Sequence, residues 1–127
     1  MAGPWAVASL SLVVTRGCNL ACAYCFQSAP RAGRMPWRIV RAAVDHLRRS
    51  PTRPRRLAFT GGEPLLEFAL VARAVRYAAA GGRRRGQVPV LLLTNGTRLD
   101  TRRAAFLAAH AVGVRLSFDG VPQAQAA

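Results

Sequence analysis

Four short, unusual segments stand directly behind four stretches that read as β-strands, and this arrangement constrains the fold more than any other feature. The segments are Arg16-Gly17-Cys18, Gly61-Gly62-Glu63-Pro64, Asn95-Gly96-Thr97 and Asp119-Gly120. The strands before them are Ala8 to Thr15, Arg56 to Thr60, Val88 to Thr94 and Val114 to Phe118. Helical patterns fill the gaps. Pro36 to Arg49 carries Val40, Ala43, Val44 and Leu47 at the i, i+3, i+4, i+7 spacing, with Pro36 suited to a first helical position. Pro64 to Ala80 reads as a second helix that stops at Gly81-Gly82. Asp100 or Thr101 can cap a third, running through Ala111 with Ala104, Leu107, Ala108 and Ala111 as its stripe. The unbroken apolar run of Val88 to Thr94 suits a parallel strand covered on both faces. This βαβαβαβ order implies an α/β fold with a parallel sheet and right-handed crossovers. All four segments then fall at the C-terminal edge of the sheet, where α/β barrels and open sheets hold ligands. Four coincidences at one edge point to a single site.

Composition narrows the function classes. The 127 residues suit one domain on a prior of about 150 per domain, and at 51% apolar the chain is not intrinsically disordered. Three Cys within eight residues cannot form a disulfide framework. No run approaches the roughly 18 uncharged apolar residues of a membrane span, so no membrane association is expected. The N-terminal stretch lacks a basic region, which argues against a cleaved signal peptide, and the expectation is a cytoplasmic protein with reduced thiols. The formal net charge is +14, and all 19 basic residues are Arg. Such an excess raises the question of nucleic acid. Yet Arg48, Arg49, Arg53, Arg55 and Arg56, then Arg83 to Arg85, then Arg98, Arg102 and Arg103, fall on expected helix faces and turns. Aromatic residues do not alternate with them along the chain as in a base-stacking platform. The favoured reading is a solvated Arg-rich surface, with RNA or another acidic partner as the weaker alternative.

The segment richest in chemistry is Cys18-Asn-Leu-Ala-Cys22-Ala-Tyr24-Cys25, a CxxxCxxC. Three thiolates on one loop can surround one metal centre. Structural zinc normally closes with four ligands, and here only the distant His46 or His110 could supply a fourth. Both His fall within expected helices. An iron–sulfur cluster on three Cys instead keeps one iron free of protein ligands, as a cluster needs if it is to bind a substrate.

CxxxCxYC behind a first strand, followed by GGEP, TNGT and SFDG behind the next three, resembles the radical S-adenosylmethionine superfamily. The combination CNLACAYCF, TGGEPLL, LTNGT and SFDG is most similar to its SPASM-type peptide- and sulfatase-maturase branch, across Leu10 to Gly120. The resemblance implies a [4Fe–4S] cluster on Cys18, Cys22 and Cys25, with S-adenosyl-L-methionine chelating the fourth iron. It implies one-electron reductive cleavage to a 5′-deoxyadenosyl radical that abstracts hydrogen from a peptide or protein side chain. An electron donor such as flavodoxin or ferredoxin is implied too. Tyr24 would lie near the adenine, with Phe26 as a cluster wall or core residue. Gly61 and Gly62 would let backbone approach the methionyl end, since glycine has no Cβ. The exposed carbonyls there, with Glu63, would accept from the ligand's ammonium. Asn95 and Thr97 would reach ribose hydroxyls. Strand alternation places Arg115, Ser117 and Asp119 on the lumen side and Val114, Leu116 and Phe118 under helices, and the resemblance implies that Ser117 contacts the adenosyl moiety, with Asp119 beside it on the cofactor side.

The family barrel has six β/α units, and residues 1–127 account for three and a fourth strand. The expectation is therefore a single truncated core domain, an incomplete parallel (β/α) barrel without a SPASM or auxiliary-cluster region. Two other readings stay open. One is a non-catalytic cluster-binding fragment or half of a split enzyme, and the other is a nucleic-acid-modifying radical enzyme.

Overall fold

The four β segments form one parallel sheet. A computed structural model describes residues 6–25, 33–80, 88–118 and 120 of the chain. The strands β1 (Ser9–Thr15), β2 (Arg56–Gly61), β3 (Val90–Thr94) and β4 (Gly113–Leu116) lie in the order β1-β2-β3-β4. Each pairs in parallel with the next. They alternate with α1 (Trp37–Arg49), then a 3-10 turn (Pro64–Glu67) leading into α2 (Phe68–Ala79), then α3 (Thr101–Ala109). The expected α/β architecture is present.

Register shows which residues share a face. Leu12 pairs with Phe59, Phe59 with Leu92, and Leu92 with Val114. Leu12, Phe59 and Leu92 enter one core with Val40, Val44 and Leu47 of α1 and Val71, Ala74, Val75 and Ala78 of α2. Each large side chain sealed there contributes about 1.5–3 kcal/mol. On the opposite face Ala58 is buried, while Ser11, Val13, Leu91 and Leu93 are exposed or half-buried. This is the more open side of β3, whose full coverage was expected.

Several local expectations are corrected. Pro36 is extended (φ −62°, ψ 144°) and precedes α1 instead of opening it. The second helical segment begins as a 3-10 turn because Glu63 caps it two residues on, at the Leu65 N–H. Asp100 does cap α3, accepting from the Arg103 N–H at 2.8 Å. That helix buries only Leu107, leaving Ala104, Ala108 and Ala111 exposed, and it ends before Ala111, which has φ 52°. With so short a buried stripe, α3 covers little of β4. Val114 and Leu116 are on the helix-side face as alternation implied, yet Leu116 is 53% exposed, and Val114 and Phe118 are also exposed.

The Arg-rich surface also differs from its sequence reading. Arg55 is only 4% exposed, and its Nη1 donates to the carbonyls of Leu47 (2.9 Å) and Arg48 (2.5 Å) at the end of α1. Those carbonyls carry the negative end of the helix dipole and lack partners within the helix. Burial, and secondarily the like charge of Arg53, push the Arg55 guanidinium below its ordinary pKa. Aromatic rings do interleave with Arg, but in space. Arg48 lies 4.7 Å from the Tyr77 ring centre, Arg73 4.0 Å from Trp37, Arg76 4.9 Å from Phe106 and Arg103 5.1 Å from Phe68. Each such contact is worth about 0.5–1 kcal/mol at an exposed site. They join neighbouring helices across their outer surface.

Candidate cofactor site

The upper rim begins where β1 and β2 end together. The Gly62 N–H donates to the Thr15 carbonyl (3.0 Å) and the Glu63 N–H to the Gly17 carbonyl (2.8 Å). The turn after β2 therefore runs against the backbone that leads into the Cys loop. A Cβ at Gly61, whose φ is +151°, would meet the Thr15 carbonyl oxygen at 2.3 Å. One at Gly62 would meet the Gly17 carbonyl oxygen at 2.1 Å. Backbone cannot yield as a flexible side chain does, so both positions require glycine. A protein segment alone thus accounts for both glycines, beyond any approach to a ligand.

Glu63 is fully buried. Its Oε1 accepts from the Leu65 N–H (2.9 Å) and the Thr94 hydroxyl (2.6 Å), and Oε2 accepts from the Asn95 N–H (2.8 Å). Three donors at these distances suit an ionised carboxylate, which only accepts. The side chain is occupied as a strut between the β2 turn and the end of β3.

From there the network reaches the Cys loop. The Asn95 Oδ1 accepts from the Thr97 N–H (3.0 Å) and the Thr97 hydroxyl (2.8 Å). The Asn95 Nδ2 points to Asn19 Oδ1 (3.2 Å) and Cys18 Sγ (3.9 Å), while Asn19 Nδ2 donates to Thr97 Oγ1 (2.7 Å). The Leu20 N–H also donates to Cys18 Sγ, at 3.4 Å. The Cys22 carbonyl accepts from the Cys25 N–H (3.1 Å), closing a turn around Tyr24, which is 66% exposed. Ser117 sits just past β4, exposed, with its N–H bonded to the Thr94 carbonyl (2.9 Å). Asp119 and Phe26 lie outside the described residues. Cys18, Cys22, Gly61, Gly62, Glu63 and Asn95 are thereby brought to one rim, with Ser117 beside Thr94. Sequence reasoning missed Asn19 and Thr94 as parts of this network. Their only signal was membership of the CNLAC and LTNGT segments.

The donor set can be tested against an iron–sulfur cluster. All three cysteines are free thiols on one loop, Cys18 and Cys22 half-buried and Cys25 exposed. Cys18 already has N–H donors directed at its sulfur, an arrangement compatible with a bound thiolate. Among the described residues no three Cys, His, Asp or Glu side chains converge on one point, the arrangement a single ion would use. A cube-shaped cluster spreads its thiolates over separate irons and does not need that convergence, so the chemistry of the donors fits. His110, one candidate for closing a zinc site, instead bonds through Nδ1 to the Phe106 carbonyl (2.9 Å) and lies against the Phe106 ring. No helix among the described residues is long and apolar enough to cross a membrane.

Comparison with known proteins agrees with this geometry. An uncharacterised protein of Methanocaldococcus jannaschii is 30% identical over 112 residues, 88% of this chain and 38% of that protein. GTP 3′,8-cyclase of Chlorobaculum tepidum is 33% identical over 108 residues, 85% of this chain and 32% of the enzyme. Among solved structures, anSMEcpe with bound AdoMet superposes with a TM-score of 0.79 at 28% identity, covering 92% of this chain and 33% of that one. Its complex with AdoMet and the Cp18Cys peptide gives 0.78 at 29% identity, with the same coverage. The chain thus spans about a third of the length of these relatives. Residues 12–124 match the profile of the Radical SAM superfamily. With its rim segments behind four parallel strands, and with that match over most of its length, the chain belongs to the radical S-adenosylmethionine superfamily.

Proposed function

We propose that this chain serves reductive cleavage of S-adenosyl-L-methionine at a [4Fe–4S] cluster, in the service of peptide or protein modification. The observation carrying the reading is the rim itself: a three-thiol loop tied by hydrogen bonds to the Gly-Gly-Glu turn and the end of β3. When bound, the cluster and S-adenosylmethionine would supply a one-electron cleavage yielding a 5′-deoxyadenosyl radical. Cys18, Cys22 and Cys25 are assigned as its thiolate ligands. Tyr24, Gly61, Gly62, Asn95 and Ser117 are assigned to the cofactor side of the rim. Glu63 belongs to the same site, with the role of fixing it: its carboxylate is already committed to Leu65, Thr94 and Asn95. The open face of the sheet, with Ser11, Val13, Leu91 and Leu93, leads toward that rim and is where a substrate would lie. A flavodoxin- or ferredoxin-type donor would supply the electron.

The peptide class is supported by the likeness to anSMEcpe in its peptide-bound form. A purine nucleotide is the second reading, favoured by similarity to GTP 3′,8-cyclase. The test is anaerobic reconstitution with iron and sulfide, reduction with dithionite, addition of S-adenosylmethionine and quantification of 5′-deoxyadenosine. Product is expected from the unsubstituted chain and not from Cys22→Ala. A chain that holds its cluster yet yields no 5′-deoxyadenosine would refute cleavage by this chain alone. Parallel reactions with a Cys-containing peptide and with GTP separate the substrate classes by which one raises the yield.

A further inference from the structure

We infer that Asn95 is a positioning residue for Cys18, and that its side-chain amide sets the reduction potential of a cluster held there. The inference rests on the cluster reading above and concerns what this chain adds to it. The orientation of the amide follows from the network. The Thr97 backbone N–H can only donate, so the Asn95 atom facing it at 3.0 Å must be the carbonyl oxygen. The NH2 group therefore faces the Cys loop, where it has two acceptors, Asn19 Oδ1 at 3.2 Å and Cys18 Sγ at 3.9 Å. One proton serves each. The Asn95 amide is thus fully used by protein partners as it stands, two donated and two accepted.

Its upstream anchor is equally defined. The Asn95 backbone N–H is held by Glu63 Oε2, so the residue cannot drift from the rim without breaking a charge-assisted bond. An N–H directed at a cysteine sulfur stabilises the more negative, reduced form of a cluster, and hydrogen bonds to sulfur are among the levers that set cluster potential. Cys18 receives one such bond from the Leu20 backbone, which no side-chain substitution removes, and one from Asn95, which substitution can remove. The second is the adjustable one.

The test is a redox titration of the reconstituted chain, followed by the electron paramagnetic resonance signal of the reduced cluster. Asn95→Asp keeps the oxygen that Thr97 bonds and replaces the NH2 with an acceptor. Asn95→Ala removes the donor without adding charge. Both should bind iron and sulfide and titrate at a more negative potential than the parent, Asp further than Ala. Asn19→Ala cuts the loop's tethers to Thr97 and to the Asn95 amide but leaves the N–H that faces Cys18, and its potential should stay at the parent value. Equal potentials in the parent and both Asn95 variants would overturn the inference. So would an equal shift in Asn19→Ala, which would mark a purely structural tether. Loss of the cluster from both Asn95 variants would overturn it as well, because the thiolates are required to hold the cluster without the amide. If the potential shifts while no 5′-deoxyadenosine forms in any variant, the proposed function fails and the role of Asn95 stands.

Discussion

Glu63 and Arg55 are the buried charged side chains among the described residues, and they flank the same strand, β2, at opposite ends. Both are satisfied by the protein. Glu63 gathers three donors from two segments, one in the turn after β2 and two at the end of β3. Arg55 donates to two consecutive carbonyls of one helix end. The first side chain connects segments that would otherwise be independent loops; the second completes a helix. Burial of a charge does not by itself mark a functional site. What distinguishes the two ends is the reach of the charge along the chain, 31 and 32 residues from Glu63 to Thr94 and Asn95 against 8 and 7 from Arg55 to Leu47 and Arg48.

The contrast can be broken most directly through the glycines at the upper end. Gly62→Ala forces a Cβ to within 2.1 Å of the Gly17 carbonyl oxygen, and backbone must move to relieve it. A loss above about 4 kcal/mol is expected, or failure to accumulate folded protein, measured by urea unfolding. A mild effect would mean that the rim is less tightly tied than the hydrogen bonds indicate. Glu63→Gln comes next. Its single oxygen can serve Leu65 and Thr94, but its NH2 then opposes the Asn95 N–H, a cost of about 2–4 kcal/mol. Iron retained after reconstitution should fall with it. Arg55→Met is the smallest, about 1–2 kcal/mol, because two carbonyls lose a partner while a buried charge is relieved. Its iron content should match the parent. If Arg55→Met and Glu63→Gln lowered iron content equally, the distinction between the two ends would dissolve.

The strands and the rim segments were legible because their signals are local. Apolar patterning, alternating or continuous, and Gly or Pro punctuation are written within a few residues of where they act. The three cysteines were legible for the same reason. What escaped was every role set by a distant partner. Glu63 read as a ligand group because its acceptors' partners, Thr94 and Asn95, lie 31 and 32 residues away and meet it only through the β2–β3 register. Asn95 reaches Cys18 across 77 positions. Arg55 read as solvated surface because nothing in a run of Arg tells which one turns back onto a helix end. The Arg–ring contacts were invisible because each joins side chains from different turns or different helices. The stripe assigned to α3 failed differently: Ala buries too little surface to decide a helix face, and Leu107 alone set the packing.

The sharing of one carboxylate between two segments has a consequence for motion. Local openings in a protein follow its cooperative units, and loops on a rim usually open one at a time. Here the turn after β2 and the end of β3 share Glu63, and Asn95 extends that tie to the Cys loop. Neither the turn nor the end of β3 can swing outward alone without leaving buried hydrogen-bonding groups unpaired. Amide hydrogen exchange at Leu65 and Asn95 should therefore proceed at one common rate, set by concerted release of the rim, which makes the mouth of the sheet a single gate.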